Sequence, residues 1–148
     1  MSIPLQARSG AWQPALELLE PISLVRCCTS PLGRNLCMIV TETAVHVYAT
    51  SDESPNLSFE PVTSFFLGCR ATGASWSPST QHASTAWRIE ILVATETNEL
   101  RLLESVRQGS EASTSNKKLA DTHAHVSDLA WCASSGYESY AATACTDG

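Results

Sequence analysis

The sequence has few basic residues and no long apolar run. Its 148 residues include 9 Lys and Arg against 15 Asp and Glu, a formal net charge of −6, which disfavours binding to the phosphates of DNA or RNA. The longest apolar run, Leu36–Val40, is far shorter than the roughly 20 residues that cross a bilayer. The N-terminal residues MSIPLQARSG lack the charged and apolar regions of a secretion signal. We therefore expect an intracellular protein with no direct nucleic-acid contact and no membrane insertion.

Metal-binding and cofactor-binding motifs are also scarce. None of the cysteines forms a CxxC pair, and their spacing is irregular, so we predict free, mostly buried thiols rather than a disulfide framework. Neither GxGxxG nor GxxxxGK[ST] occurs, which excludes the usual phosphate-binding loops. We expect no cofactor. The six cysteines are Cys27, Cys28, Cys37, Cys69, Cys132 and Cys145.

Helical periodicity is nearly absent, whereas alternation typical of strands is clear. The best helical candidate, Ala15–Glu20, lies between two prolines and is too short to be stable. In Arg88–Val93, Ile89, Ile91 and Val93 point to one face, which indicates a half-buried strand. The sequence therefore predicts an all-β fold with two hairpins, one pairing Leu36–Val40 with Ala44–Ala49 and the other pairing Arg88–Val93 with Glu99–Leu102.

The hairpins belong to a unit that recurs along the chain. CCTSP at 27–31 precedes the first hairpin, ASWSP at 74–78 precedes the second, and a third copy begins at His125–Trp131 and continues to Cys145. The spacing of roughly 50 residues matches the blades of a β-propeller. We predict an incomplete propeller of four-stranded antiparallel blades, with proline corners after the first strand of each unit.

The repeat gives expected boundaries. Residues 1–21 form an N-terminal extension or a closing outer strand, and residues 22–148 form a partial propeller. Blade one covers about 22–62, blade two about 63–121, and blade three begins near 122 and is truncated at 148. The polar stretches Ser51–Asn56 and Ser105–Asn116 are predicted as exposed loops. Because a closed propeller needs at least about four blades, we expect the N-terminal piece of a longer chain, or a half-propeller that a partner or second copy completes.

Several motifs carry a resemblance to a known family. Ser30-Pro31, Trp76-Ser77-Pro78 and Ala144-Cys145-Thr146-Asp147-Gly148 resemble WD-repeat signatures. The stretch from Arg70 onward, including the long insertion after Pro78, resembles the small WD-repeat nucleoporins of the Y-shaped outer-ring complex of the nuclear pore. The resemblance covers about Ile22–Gly148 and leaves Met1–Pro21 unmatched.

The resemblance implies a non-enzymatic scaffold in the nucleus, at the nuclear envelope and nuclear pore complex. Its implied partners are other outer-ring nucleoporins, chiefly the large helical and propeller nucleoporin of one arm of the Y. The alternative is a WD-repeat adaptor of another intracellular assembly, such as a vesicle coat or a transcription or chromatin complex, because fold alone does not separate these functions.

The WD-repeat pattern also implies structural roles for individual residues. It links a His before the first strand, a Ser or Thr in the second and an Asp in the turn, which here correspond to His123 (His125 if the register slips), Thr143 and Asp147, with Gly148 in the turn. The first two copies depart from this pattern because Thr43 and Thr97 stand at the Asp position. The remaining blade-structural candidates are Ser30, Pro31, Trp76, Ser77, Pro78 and Trp131, and the candidate partner contacts are Trp12, Phe65 and Phe66.

One motif favours a different chemistry. In Asp121-Thr122-His123-Ala124-His125 the two histidines stand at i and i+2, which on a strand places both imidazoles on one face and lets them share a metal ion. The string resembles the opening motif of metal-dependent deoxyribonucleases of the TatD type. That motif begins an α/β barrel of about 250 residues, whereas here it follows β repeats, so a metal-dependent hydrolase using His123 and His125 is the minor alternative.

Overall fold

The computed structural model describes residues 16–53 and 56–147. Within these residues all regular structure is β and all strand pairs are antiparallel, which confirms the predicted all-β class. The strands are β1 (Ile22–Cys27), β2 (Leu36–Thr41), β3 (Ala44–Glu53), β4 (Asn56–Phe66), β5 (Ala71–Trp76), β6 (Gln81–His82), β7 (Ala86–Thr95), β8 (Glu99–Gln108), β9 (Glu111–Asp121), β10 (Val126–Trp131) and β11 (Ala141–Cys145).

The strands form three sheets in chain order. Sheet A has the order β1-β2-β3-β4, sheet B has the order β5-β7-β8-β9 with the short β6 paired to β7, and sheet C is the pair β10-β11. Both predicted hairpins are confirmed, since β2 pairs with β3 across a two-residue turn and β7 pairs with β8 across Glu96–Asn98. Asn98 adopts a φ of 59°, a left-handed conformation that asparagine tolerates better than most residues.

The apolar faces show how the sheets stack. On β7, Ile89, Ile91 and Val93 are fully buried in a cluster shared with sheet A, as the alternation predicted. The intervening Leu92 and Ala94 point the other way and are buried against sheet C. Sheet B therefore lies between sheets A and C, and each fully buried aliphatic side chain contributes roughly 1.5–3 kcal/mol through removal from water.

A β-bulge recurs at the same place in all three sheets. The second residue of the first strand, which is Ser23, Thr72 or Ser127, is left unpaired while its neighbours pair with consecutive residues of the next strand. Ser23 Oγ donates to Val40 O at 3.1 Å, and Ser127 Oγ makes the equivalent bond at the same distance. A bulge fixes the local twist of its strand, so the three sheets repeat in detailed geometry as well as in strand order.

Two sequence predictions are wrong. Ser105–Asn116 is not a loop, because β8 continues to Gln108 and β9 starts at Glu111 after a turn at Gly109, whose φ is 61°. Ser51–Asn56 likewise includes the end of β3 and the start of β4. In both stretches the described residues continue the last two strands of a sheet. The last strand of sheet A ends at Phe66.

Candidate functional site

Sheets A and B carry a matching contact between the segment before the first strand and the first hairpin turn. In sheet A the Thr43 N–H and hydroxyl donate to the Glu20 carboxylate at 3.2 and 2.6 Å. In sheet B the Arg70 N–H donates to Glu96 Oε1 at 3.0 Å, and the Glu96 N–H returns a bond to Arg70 O at 2.9 Å. These bonds tie the entry of each sheet to its turn. The Thr41 and Thr43 hydroxyls lower the pKa of Glu20 because they stabilise its charged form.

Sheet C makes the corresponding contact with a different residue pair. His123 Nε2 lies 3.2 Å from Asp147 Oδ2, so the structure brings together two of the three residues implied by the WD-repeat pattern. Thr143 is exposed on β11, and no hydrogen bond joins its side chain to either partner in the part of the chain that the structure describes. His125 is exposed, with its carbonyl accepting the Thr146 N–H at 3.0 Å, and Gly148 lies outside the described residues.

His123 lies close to two other side chains of types that can bind metal ions. The donor atoms of His123, Cys145 and Asp147 all lie within 4.8 Å of one another, a nitrogen, sulfur and oxygen set of the kind that zinc accepts. His125, the second member of the HxH motif, is not in this group. The His123 and Asp147 side chains are 73% and 51% exposed, so their direct pairing accounts for the geometry without an ion.

The two tryptophans at matching repeat positions differ in environment. Trp76 is 5% exposed, and its indole N–H donates across sheets to Arg26 O on β1 at 3.1 Å. Trp131 is partly exposed, and its indole donates to Glu138 O in the loop that follows β10. Trp76 therefore bonds sheet B to sheet A through its side chain. The Trp131 indole bonds only to its own loop, while its partly exposed ring packs against the cluster between sheets B and C.

The two Ser-Pro corners are built alike. Ser30 and Ser77 are both buried, and their carbonyls each accept the N–H three residues later, at 3.1 and 3.2 Å. Pro31 is exposed and Pro78 half-buried at the second position of each turn, where their fixed φ suits a reverse turn. Ser30 Oγ also donates to Thr80 O at 2.6 Å, so one corner is bonded directly to the other.

A buried carboxylate supports the second corner. Glu90 accepts a hydrogen bond from Ser77 Oγ at 2.9 Å and pairs with Arg88 at 2.7 Å. Glu90 raises the pKa of Arg88 through hydrogen bonding and charge. Both acceptor oxygens are therefore occupied within the fold, and the carboxylate has a structural role.

A cleft of about 460 Å³ lies between the outer parts of sheets A and B. The Arg107 guanidinium lies 5.0 Å from the centre of the Trp87 ring, and the His82 ring lies 5.8 Å from the same ring. Asn35 Nδ2 and His82 Nδ1 are 3.1 Å apart, and burial lowers the pKa of His82. Because Asn35 bonds His82 across the sheets, while Trp87 is flanked within sheet B by His82 and Arg107, the cleft lining is suited to holding the sheets together.

The candidate partner contacts separate in the structure. Trp12 lies outside the described residues. Phe65 is 4% exposed in the core shared by sheets A and B, so it is removed from the candidate contact surface, while Phe66 is 75% exposed on the opposite face of β4. Leu119, a residue that sequence reasoning missed, is 50% exposed at a bulge in β9. Phe66 pairs with Ala44 beside the first hairpin turn, so both exposed side chains lie on outer strands at the turn end of their sheets.

Comparison with known proteins gives no assignment. Neither a scan against protein-family models nor a search of curated proteins found a match to this chain. Among residues 16–53 and 56–147 there is no helix of sufficient length and apolarity to span a membrane.

Proposed function

We propose that this chain is part of a WD-repeat β-propeller that acts as a structural scaffold in the outer ring of the nuclear pore complex. The observation that carries the proposal is the recurrence of one structural unit in three sheets. Each unit has a bulge at the second residue of its first strand and a polar contact from the preceding segment to the following turn, a hydrogen bond in sheets A and B and a His–Asp pair in sheet C.

The stacking of the sheets supports the propeller interpretation. Propeller blades bury their faces on neighbouring blades, and both faces of β7 are buried in this way, one by sheet A and one by sheet C. Sheet A is also four-stranded and follows chain order from β1 to β4, as a propeller blade does.

The chemistry of the polar residues supports a scaffold over an enzyme. Glu20, Glu90 and Glu96 each accept hydrogen bonds from groups of the fold itself. These hydrogen bonds give them structural roles. By the resemblance of the sequence, the partners are outer-ring nucleoporins, chiefly the large helical and propeller nucleoporin of one Y arm, and the site of action is the nuclear envelope.

Phe66 and Leu119 are the side chains we assign to partner contact. Large apolar side chains at the centre of an interface contribute most of the binding energy. In nuclear-envelope extract, the tagged chain should capture outer-ring nucleoporins. The variants Phe66→Ser and Leu119→Ser should each bind them more weakly, by about tenfold for every 1.4 kcal/mol of binding free energy removed. Leu32→Ser is the matched control, because Leu32 is similarly exposed but lies in the loop between β1 and β2.

The outcomes of this capture separate the candidate functions. Recovery of outer-ring nucleoporins that falls with Phe66→Ser and not with Leu32→Ser supports the proposal. Recovery only of vesicle-coat, transcription or chromatin subunits would keep the propeller and reject the nuclear pore. Stoichiometric zinc together with hydrolytic activity, both lost on His123→Ala, would favour the metal-dependent hydrolase instead.

A further inference from the structure

Two cysteines face each other across the first strand pair of sheet A. Cys27 at the end of β1 lies directly opposite Cys37 in β2. The next pair along is hydrogen-bonded, since the Cys28 N–H donates to Leu36 O at 2.9 Å. In an antiparallel strand pair, hydrogen-bonded and non-hydrogen-bonded residue pairs alternate. Cys27 and Cys37 therefore form a non-hydrogen-bonded pair, in which the Cα atoms typically lie about 4.5 Å apart. That separation falls within the roughly 4.4–6.8 Å found for disulfides.

The two side chains project from the same face of sheet A, because directly opposite residues of an antiparallel strand pair point to one side. Cys27 is exposed, while Cys37 is buried beside Ile39 and Tyr48 on the outer face of sheet A. An incoming reagent therefore reaches Cys27 first.

The adjacent Cys28 cannot take part from its position. Successive residues of a strand point to opposite faces, and Cys28 is buried in the core between sheets A and B. Its sulfur packs against Gly33, where an added Cβ would lie only 3.0 Å away. The geometry selects one cysteine of the adjacent pair as the partner of Cys37.

We propose that Cys27 and Cys37 form a reversible cross-strand disulfide by exchange with a small-molecule disulfide such as glutathione disulfide. The Cys27 thiolate attacks one sulfur of glutathione disulfide, forms a mixed disulfide and releases one glutathione thiolate. Cys37 then loses its proton and attacks the Cys27 sulfur. The second glutathione thiolate leaves and takes up a proton, so two protein thiols are oxidised and one glutathione disulfide is reduced to two glutathiones.

The environments of the two thiols fit this order of events. Burial, reinforced by the neighbouring Cys27 thiol, raises the pKa of Cys37 to about 11, which keeps it protonated at neutral pH. Thiolate rather than thiol is the nucleophile in exchange. Cys37 accordingly acts second, once Cys27 holds the glutathione beside it.

The test is incubation of the folded chain over a series of glutathione to glutathione disulfide ratios, followed by an acid quench, alkylation of the unfolded chain and intact-mass measurement. We expect the loss of two alkylated sites of the six, restored by dithiothreitol. Trypsin cuts after Arg26, Arg34 and Arg70, so the bond should appear as a link between peptides 27–34 and 35–70. In urea the chain should instead give mixed pairings, because the register no longer selects partners.

Variants identify the pair. Cys27→Ser should abolish the linked peptide, and it replaces an exposed residue, so folding is checked simply by circular dichroism. Cys37→Ala should abolish it as well. Cys69→Ser, which removes the other cysteine of peptide 35–70, should leave it intact. Full alkylation of both thiols under oxidising conditions, or a link that persists in Cys27→Ser or disappears in Cys69→Ser, would overturn the proposal.

Discussion

Replacing tryptophan by phenylalanine should destabilise the fold more at Trp76 than at Trp131, because only the Trp76 indole bonds to a neighbouring sheet, through Arg26. Trp76→Phe removes an indole hydrogen bond across two sheets, a net loss of about 0.5–1.5 kcal/mol. The smaller ring also leaves unfilled space in a buried site. Full truncation of a buried aromatic residue costs about 3–5 kcal/mol, so this partial one should cost about 1–2 kcal/mol. The free energy of unfolding should fall by about 1.5–3.5 kcal/mol in total.

Trp131→Phe is the matched control. Its indole bond to Glu138 lies in an exposed loop, where water replaces the missing partner, so the cost should stay below about 1 kcal/mol. Urea unfolding followed by far-ultraviolet circular dichroism measures both variants, and each retains the same number of tryptophans. With a denaturant slope of about 2 kcal/mol per molar urea, Trp76→Phe should lower the midpoint by about 1 M. Equal costs, or a larger cost for Trp131→Phe, would refute the role of Trp76 in joining the sheets.

Three further predictions follow from single contacts. An added Cβ at Gly73 would lie 3.2 Å from the Leu129 Cβ. Gly73→Val should therefore lower the free energy of unfolding by about 1–3 kcal/mol and speed proteolysis of β10–β11. Unchanged proteolysis would contradict this close approach. Ser77→Ala deprives the buried Glu90 carboxylate of a donor and should cost about 1–3 kcal/mol in thermal or chemical unfolding, whereas a neutral result would mean that water satisfies the carboxylate. The pKa of Glu20 is lowered from its usual 4.5, so its contribution to stability is present above that pH and is lost as the pH falls through the lower folded value. The chemical shift of the Thr43 amide, which donates to Glu20, should follow this titration in nuclear magnetic resonance spectra. Glu20→Gln should remove the titration. An inflection at or above pH 4.5 would contradict a lowered pKa.

The hairpins were predictable because one face of their strands enters a core. Ile89, Ile91 and Val93 are buried together, and this burial imposes the period of two that the sequence displays. The turn residues at 41–43 and 96–98 then fixed which runs pair. The all-β class and both hairpins could be predicted for this reason.

Strand β9 could not be predicted because every residue of it is exposed. Without a buried face there is no selection for alternation, and EASTSNKKLAD resembles a loop in composition. The Phe65-Phe66 pair shows a related limit. Two adjacent phenylalanines must point to opposite faces, but only the pairing of Phe65 with Val45 determines which one enters the core.

The candidate site was predictable only where its chemistry repeats a known pattern. The His123–Asp147 pair follows from the WD-repeat resemblance. Its counterparts use a carboxylate with a threonine in sheet A and a carboxylate with a backbone N–H in sheet B. The residue types at equivalent positions of these pairs differ, because the carboxylate comes before the first strand in sheet A and from the turn in sheet B, so no motif reveals them. The pairing of Cys27 with Cys37 is likewise a consequence of strand register and cannot be seen in their sequence spacing.

The outer edges of the three sheets differ in how well they are protected against pairing with a further strand. A strand with a free edge can recruit a strand of another molecule, and bulges, prolines and lysines oppose this. Sheet A has Pro61 and a bulge at Val62 in its outer strand, and sheet B has Lys117, Lys118 and a bulge in its own. By contrast β11, with the sequence AATAC, has no proline, charge or bulge and pairs on one side only among the described strands. Among the outer edges of the described strands, that of β11 is therefore the one least protected against pairing with a further strand.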